Sequence, residues 1–359
     1  MNPDQIARQI SGEKHATARL SREARQGDRS HVIIHEIIDA ASDRAPRQLG
    51  YFVEKRTTSR AEHELASALA KLNQDASSTR VRSLPTPQIF ATFQSGDRHV
   101  IYQEFMSGIG LLPSRDKEGP AEVEPALAAA IAHFNRGAHE LLASRPSMPP
   151  RAQILRRRAQ SLLRSHAGIF TAREIYGCFA GIFKELTAWP LIMSHNDIHL
   201  GNISIENPLA DNEEIRLIDF GQLEWNYIGA ELHHFAVLSC EDREISSGLS
   251  QGFFQRLSAA YGSQLQIPLP IVQAGAYAYA AHRTCLRLDS SPQGAQAELL
   301  LMLELLAKSE KLLNIETSRS DLLILLRSMS AAIKDARKRE KHLRKRVKKL
   351  QSKTKLREQ

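Results

Sequence analysis

Two short polar runs constrain this chain more than anything else in it. The first is Ser194-His195-Asn196-Asp197-Ile198-His199-Leu200-Gly201-Asn202, and the second is Leu217-Ile218-Asp219-Phe220-Gly221. The apolar residues 189–193 lead into the first run as a short buried segment. Two strands are expected between the runs, Ile203 to Ile205 and Ile215 to Ile218, joined by turn residues Asn207-Pro208 and Asp211-Asn212. Such a hairpin returns the chain on itself, so Asp219 is expected at the same point in space as Asp197 and Asn202.

The residue types suit phosphoryl transfer, which needs positioning, charge neutralisation and a proton acceptor, and little covalent work. Asp197, a carboxylate in a polar loop, is placed to take the proton of an attacking hydroxyl. Mg²⁺ prefers hard oxygen ligands and keeps phosphates and waters in its shell. The Asp219 carboxylate and the Asn202 amide oxygen suit it. Gly221 frees the backbone behind Asp219 to turn. His195 is carried as a catalytic candidate beside Asp197, although it reads better as a loop brace than as a base. A zinc site on His195, Asp197 and His199 is a poorer reading, because no cysteine pair or distant ligand set accompanies them.

The pattern His-x-Asp-x-His-x-Gly-Asn followed by Ile-Asp-Phe-Gly resembles the aminoglycoside phosphotransferase and choline kinase group of kinase-like enzymes. His199 and Gly201 favour that group over protein kinases, whose loop reads His-Arg-Asp-Leu-x-x-x-Asn. The resemblance covers about Ala16 to Leu313 and is specific only in the two central motifs and the Lys55 strand. It implies an α+β, protein-kinase-like two-lobe fold: a small antiparallel sheet lobe and a large helical lobe.

Residues 1–15 read as a weakly ordered lead-in, and 16–107 as the small lobe. Strands are expected over His31–Ile38 and Leu49–Arg56, with a turn at Asp43–Pro46 and a weaker strand near Ala16–Leu20. The connection Arg25–Ser30 holds one glycine, Gly27. In the kinase-like fold it would cover the nucleotide phosphates through its backbone amides. Lys55 shares a strand face with Tyr51 and Val53; the resemblance makes it the clamp on the α- and β-phosphates. The helix after it places Leu65, Ala68, Leu69 and Leu72 on one face. Glu62 and Glu64 flank that face, and either could hold Lys55. The family's spacing favours Glu64, while helix geometry leaves both open. After Pro85 and Pro87, a hairpin over Ile89–Phe93 and His99–Phe105 runs into a lobe connection. By resemblance the adenine bonds to that connection, with Glu104, Phe105 and Met106 as candidates.

Residues 108–315 read as the helical large lobe, with helices over 126–142, 154–165, 253–261, 271–288 and 295–313. The family has a bracing Asp one turn into a helix after Asp219. Here Glu231-Leu232-His233-His234 stands in that place, and Glu231 or His234 is expected to substitute. Residues 316–359 are a separate object. Leu322, Leu326, Met329, Ile333, Ala336, Leu343, Val347 and Leu350 recur at coiled-coil spacing, interrupted at Glu340. From Lys334 onward there are 13 Lys/Arg against three acids, so the total charge of +8 belongs to the tail and the body is near −2. Such a helix fits self-association, an anionic membrane surface or nucleic acid, the last disfavoured because no aromatics are interleaved.

Three dispersed cysteines and a polar N-terminus without a signal peptide pattern lead to a cytoplasmic expectation, with peripheral contact at the inner face of a membrane through the tail. The expected activity is ATP- and Mg²⁺-dependent phosphorylation of a hydroxyl on a small molecule or saccharide, with GTP open as donor and surface-glycan metabolism as the first choice of setting. The alternatives are an aminoglycoside or choline-type kinase and a non-catalytic scaffold working through its basic coil. A protein kinase is disfavoured because Asp219 runs directly into Trp225 and Gly229, with no long activation segment.

Overall fold

The computed structural model of the 359-residue chain describes residues 2–26, 30–39, 47–74, 84–106, 123–142, 181–182, 184–206, 214–287 and 295–314. The expected turns at 43–46 and 207–212, the basic helix over 154–165 and the coiled-coil tail lie outside these residues, as does Gly27.

The small lobe is a five-stranded antiparallel sheet in the order β1-β2-β3-β5-β4. Its strands are β1 (Ala16–Gln26), β2 (Ser30–Asp39), β3 (Arg47–Thr57), β4 (Ile89–Ser95) and β5 (Arg98–Glu104). Period-2 alternation in β2 buries Ile33, His35 and Ile37. The central strand β3 is buried on both faces from Phe52 to Lys55. Phe52 belongs to a cluster with Ile6, Ala7, Val100 and Tyr102, while Lys55 points to the other face.

Ile6 and Ala7 come from the segment expected as a weakly ordered lead-in, and that expectation is corrected. Residues Pro3–Ser11 form helix α1, opened by a capping box in which the Gln5 amide donates to Asn2 Oδ1 at 2.9 Å and the Asn2 amide to Gln5 Oε1 at 2.8 Å. The cap and the burial of Ile6 and Ala7 against the outer sheet face stabilise a helix too short to stand alone.

Helix α2 (Arg60–Gln74) crosses the inner face of the sheet. Its buried stripe is Glu62, Leu65, Ala66, Leu69 and Ala70, the i, i+3, i+4, i+7 spacing of one helix face. The acid at 62 is in phase with the apolar residues.

The large lobe packs α3 (Val123–Leu142), α4 (His233–Cys240), α5 (Phe253–Leu265), α6 (Leu269–Arg287) and α7 (Ala295–Leu312) around one core. Gly229, at φ 89°, lets the segment before α4 approach α6: a Cβ there would lie 2.0 Å from the Val272 carbonyl oxygen. Two small antiparallel pairs sit at the lobe boundary. One joins β6 (Ile192–Ser194) to β9 (Glu224–Asn226), the other β7 (Ile203–Glu206) to β8 (Glu214–Leu217). Residues 195–202 leave β6 and enter β7, while 218–223 leave β8 and enter β9, so the two polar runs lie side by side. The lobes are joined by the Leu217 amide donating to the Pro85 carbonyl at 2.7 Å and by Arg216 Nη1 on Glu104 Oε2 at 2.5 Å. This is the expected α+β two-lobe arrangement.

Candidate active site

Lys55 is the meeting point of three elements. From β3 its Nζ reaches Glu62 Oε1 on α2 at 2.6 Å and Asp219 Oδ1 in the large lobe at 2.5 Å. Its side chain is 4 % exposed. Burial pushes the ammonium pKa down, and the two carboxylates more than reverse this, so the net shift is upward and the lysine is locked in its charged form. The preference for Glu64 is corrected: Glu64 Oε1 pairs instead with Arg60, whose side chain is 80 % exposed, at 2.8 Å. The cause is helical phase, because position 62 lies on the buried stripe.

Asp219 sits in the left-handed region at φ 63°, ψ 71°. That conformation costs a non-glycine residue roughly 1–3 kcal/mol, and the ion pair with Lys55 holds it. Gly221 has a different part from the one its flexibility suggested. The positive φ belongs to Asp219, and a Cβ on Gly221 would stand 3.3 Å from Asp219 Oδ1 and 3.7 Å from Glu62 Oε2. Its bareness gives the two carboxylates room to converge.

The loop after β6 is held from within. His195 is fully buried, and its ring nitrogen Nε2 donates to the Ile218 carbonyl at 2.9 Å. Its ring packs between Phe134 of α3 and Phe220, with centroids at 5.6 and 5.5 Å. Burial lowers its pKa despite the carbonyl and the charges of Asp197 and Asp219. A neutral imidazole committed to a carbonyl is a brace, and the catalytic candidacy of His195 is corrected on that ground. Asn196, which sequence reasoning passed over, is fully buried at φ 58°. Its amide donates to the carbonyls of Ser194, Gln222 and Glu224 at 2.9, 3.2 and 3.1 Å, and its Oδ1 accepts from Asn226 Nδ2 at 2.5 Å. Asparagine tolerates the left-handed region and offers both donor and acceptor. Nothing in the sequence besides its place in the motif marked it.

Asp197 is thereby presented at the loop tip with its side chain 18 % exposed. Its Oδ1 accepts from His234 Nε2 on α4 at 3.1 Å. Burial raises its pKa, but His234, then Arg283 and His199, outweigh it, and the net shift is downward. Asn202 donates its amide to the Asp197 carbonyl at 2.9 Å, which leaves Oδ1 as its remaining acceptor. The Asn202 carbonyl accepts from the Ile218 amide at 3.0 Å, so Asn202 and Asp219 are neighbours across the two runs. His199 caps the turn Leu200–Asn202, its Nδ1 accepting from the Gly201 amide at 3.0 Å.

Of the two residues expected to substitute for the bracing Asp, Glu231 holds β6 to α3, while His234 meets the Asp197 carboxylate. Glu231 is fully buried and accepts from Ser194 Oγ of β6 at 3.1 Å and from Asn135 of α3 at 3.4 Å. Burial raises its pKa, against the hydrogen bonds of Tyr261, Ser194 and the backbone that lower it. At the lobe connection, the Glu104 amide donates to the Gln88 carbonyl at 2.9 Å and its carboxylate holds Arg216. The Phe105 ring lies 5.4 Å from that of Tyr51.

No cluster of three or more His, Cys, Asp or Glu among the described residues suits a metal ion. Asn202 and Asp219, neighbours across the two runs, offer one amide oxygen and one carboxylate, a donor set whose chemistry fits a magnesium ion that draws its other ligands from phosphates and water. A cavity of about 400 Å³ opens beside the loop, lined among others by His199, Leu200, His234, Leu238, Glu241 and Arg243.

Two solved structures are distantly similar to the chain. A spectinomycin phosphotransferase in complex with ADP and spectinomycin is 10 % identical, with a TM-score of 0.43, over 87 % of this chain and 98 % of its own. An aminoglycoside-3'-phosphotransferase of type VIII is 13 % identical, with a TM-score of 0.37, over 75 % and 96 %. No curated protein sequence matches the chain. A family model does: that of the phosphotransferase enzyme family, over residues 45–270, which spans Lys55, Glu62, Asp197, Asn202 and Asp219. The chain belongs to the phosphotransferase enzyme family.

Proposed function

We propose that this phosphotransferase moves the γ-phosphoryl group of ATP, with Mg²⁺, to a hydroxyl of a small molecule or saccharide. The observation that carries the reading is Lys55, buried between Glu62 at 2.6 Å and Asp219 at 2.5 Å. A lysine in that position is charged, fixed and next to a carboxylate with a second oxygen to offer a metal. Lys55 would hold the α- and β-phosphates, and Asn202 and Asp219 the magnesium. When bound, the metal neutralises charge on the phosphate oxygens. Asp197 takes the acceptor's proton, and Phe105, Met106 and Tyr51 receive the adenine. His195, Asn196 and Glu231 keep the loop rigid, which matters because a misplacement of about 1 Å can cost on the order of 100-fold in rate.

The cavity beside His199 and His234 is the acceptor site in this reading, and its volume suits a small molecule. Among the described residues its lining carries one acid, Glu241, against one guanidinium, Arg243, paired at 3.0 Å. A polycationic aminoglycoside favours an acid-rich cleft, so the balance supports a neutral saccharide. A surface-glycan setting, self-association and contact with an anionic membrane rest on the basic tail alone. No helix among the described residues is long and apolar enough to cross a membrane.

Thermal unfolding with ATP and Mg²⁺ tests the reading. A ligand that binds only the folded state stabilises it by about 2.7 kcal/mol at 100 times its Kd. A clear rise in Tm with ATP and Mg²⁺, reduced by EDTA and absent in Asp219→Asn, is expected. An unmoved Tm at millimolar nucleotide would sink the proposal.

A further inference from the structure

In the group this chain resembles, the residue one turn into the helix after the Asp-Phe-Gly is an aspartate that braces the loop. Here the loop is braced without it. Glu231 holds Ser194, Asn196 fastens the loop to β9, and His195 ties it to Ile218. His234 contributes to none of these. It touches the reactive group itself, with Nε2 3.1 Å from Asp197 Oδ1 and its side chain 25 % exposed. Its ring also lines the cavity, edge-on to His199 at a centroid distance of 5.2 Å.

We propose that His234 is a positioning residue for Asp197, fixing its carboxylate through Oδ1 so that the other oxygen faces the acceptor hydroxyl. The inference rests on the reading of Asp197 as base. Chemistry explains the residue type. A carboxylate at 234 close enough to touch Asp197 would repel it, whereas an imidazole N–H can donate to it. As the hydroxyl attacks, its O–H bond breaks and the proton goes to the free Asp197 oxygen. The new O–P bond forms and the bond from the γ-phosphorus to the ADP oxygen breaks. A carboxylate held by one donor cannot rotate away during that step.

The groups facing His234 are Asp197 and His199 from the loop and His233 from its own helix, whose ring centroid is 4.1 Å away. Glu241 and Arg243 stand elsewhere on the cavity wall, and Arg283 of α6 acts on Asp197 by its charge. Of the influences that lower the Asp197 pKa, the His234 hydrogen bond is the largest, and burial opposes it. Removing the imidazole takes that donor from Oδ1 and leaves the carboxylate free to turn.

The test is phosphate release from ATP and Mg²⁺, with water as acceptor, across a range of pH. Wild type is compared with Asp197→Asn, His234→Ala, His234→Gln and His234→Asp, each with a melting curve. His234→Ala is expected to lose roughly 10-fold or more in kcat with KM for ATP unchanged. His234→Gln, which restores an N–H donor, should recover most of the rate, while His234→Asp should not recover it. A His234→Ala enzyme within about 2-fold of wild type, or a Gln variant no better than Ala, overturns the inference. Loss of activity in Asp197→Asn alone would leave the base in place and remove only His234. Equal release by wild type and Asp197→Asn would overturn both readings.

Discussion

Lys55 of the small lobe and Asp197 of the large lobe are built in opposite ways. Lys55 is sealed from solvent and clamped by two full charges, one from each lobe. Asp197 is partly open and its side chain is steadied by a histidine beside a cavity. Low dielectric makes the first arrangement strong and unforgiving, because a buried charge without its partner is costly. The second tolerates change, because imidazoles and amides can be exchanged without stranding a charge. In the proposed reading, the nucleotide half of the site is thus fixed by electrostatics and the acceptor half is free to diverge. That is where this chain departs from the group's pattern, at His234 and Glu231.

The largest effect is expected on the open side. Asp197→Asn keeps the shape and one hydrogen bond to His234 but removes the proton acceptor. Turnover should fall roughly 1000-fold, about 4 kcal/mol of barrier, with the nucleotide-induced rise in Tm intact. Steady-state kinetics beside a thermal titration would show it, and a simultaneous loss of nucleotide binding would break the proposed division of labour.

On the closed side the expected loss is of stability. Lys55→Met leaves Glu62 and Asp219 facing each other without their cation, at a cost of roughly 3 kcal/mol near neutral pH. The sign with pH follows from the shifts. The Lys55 pKa is raised on folding, so its contribution is present below the ordinary lysine value and is lost only as pH rises through the higher folded value. Urea melts near neutral pH would show that loss of stability, and a midpoint unchanged from wild type would mean that the two carboxylates do not depend on Lys55.

The same contrast explains what the sequence discloses. Strands β2, β3 and β5, the turn at Gly96 and the paired motifs are local patterns, with alternation, turn residues and fixed spacing, and they read correctly from the chain. Lys55 and Asp219 are 164 positions apart, yet each lies in a recognisable setting. What stays hidden is long-range partnership. Asn196 carries its asparagine for a left-handed turn and four hydrogen bonds, two of them to β9 carbonyls or their approach, and β9 has only three residues. Glu231 answers Ser194 and Asn135 from 37 and 96 positions away. Helix α1 escapes notice because its capping signal is polar and its apolar face is two residues wide.

The smallest effect is the sharpest test of how that closed half is read. Glu62 and Glu64 are two residues apart on α2, which places them about 200° around the helix from one another. Glu62 lies in phase with Leu65, Ala66 and Leu69 and is 2 % exposed, whereas Glu64 pairs with the exposed Arg60. Replacing a buried charge-assisted hydrogen bond by a neutral one costs about 1–2 kcal/mol, so Glu62→Gln should weaken ATP binding by on the order of 10-fold, since a freed Lys55 no longer holds one orientation toward the phosphates. An i,i+4 pair with a solvated arginine is worth under about 0.5 kcal/mol, so Glu64→Gln should leave affinity and stability within error of wild type. Titration of both variants with ATP and Mg²⁺ decides the matter. Were Glu64→Gln the more damaging of the two, α2 would have to sit rotated by half a turn, and Glu64 would be the partner of Lys55 after all.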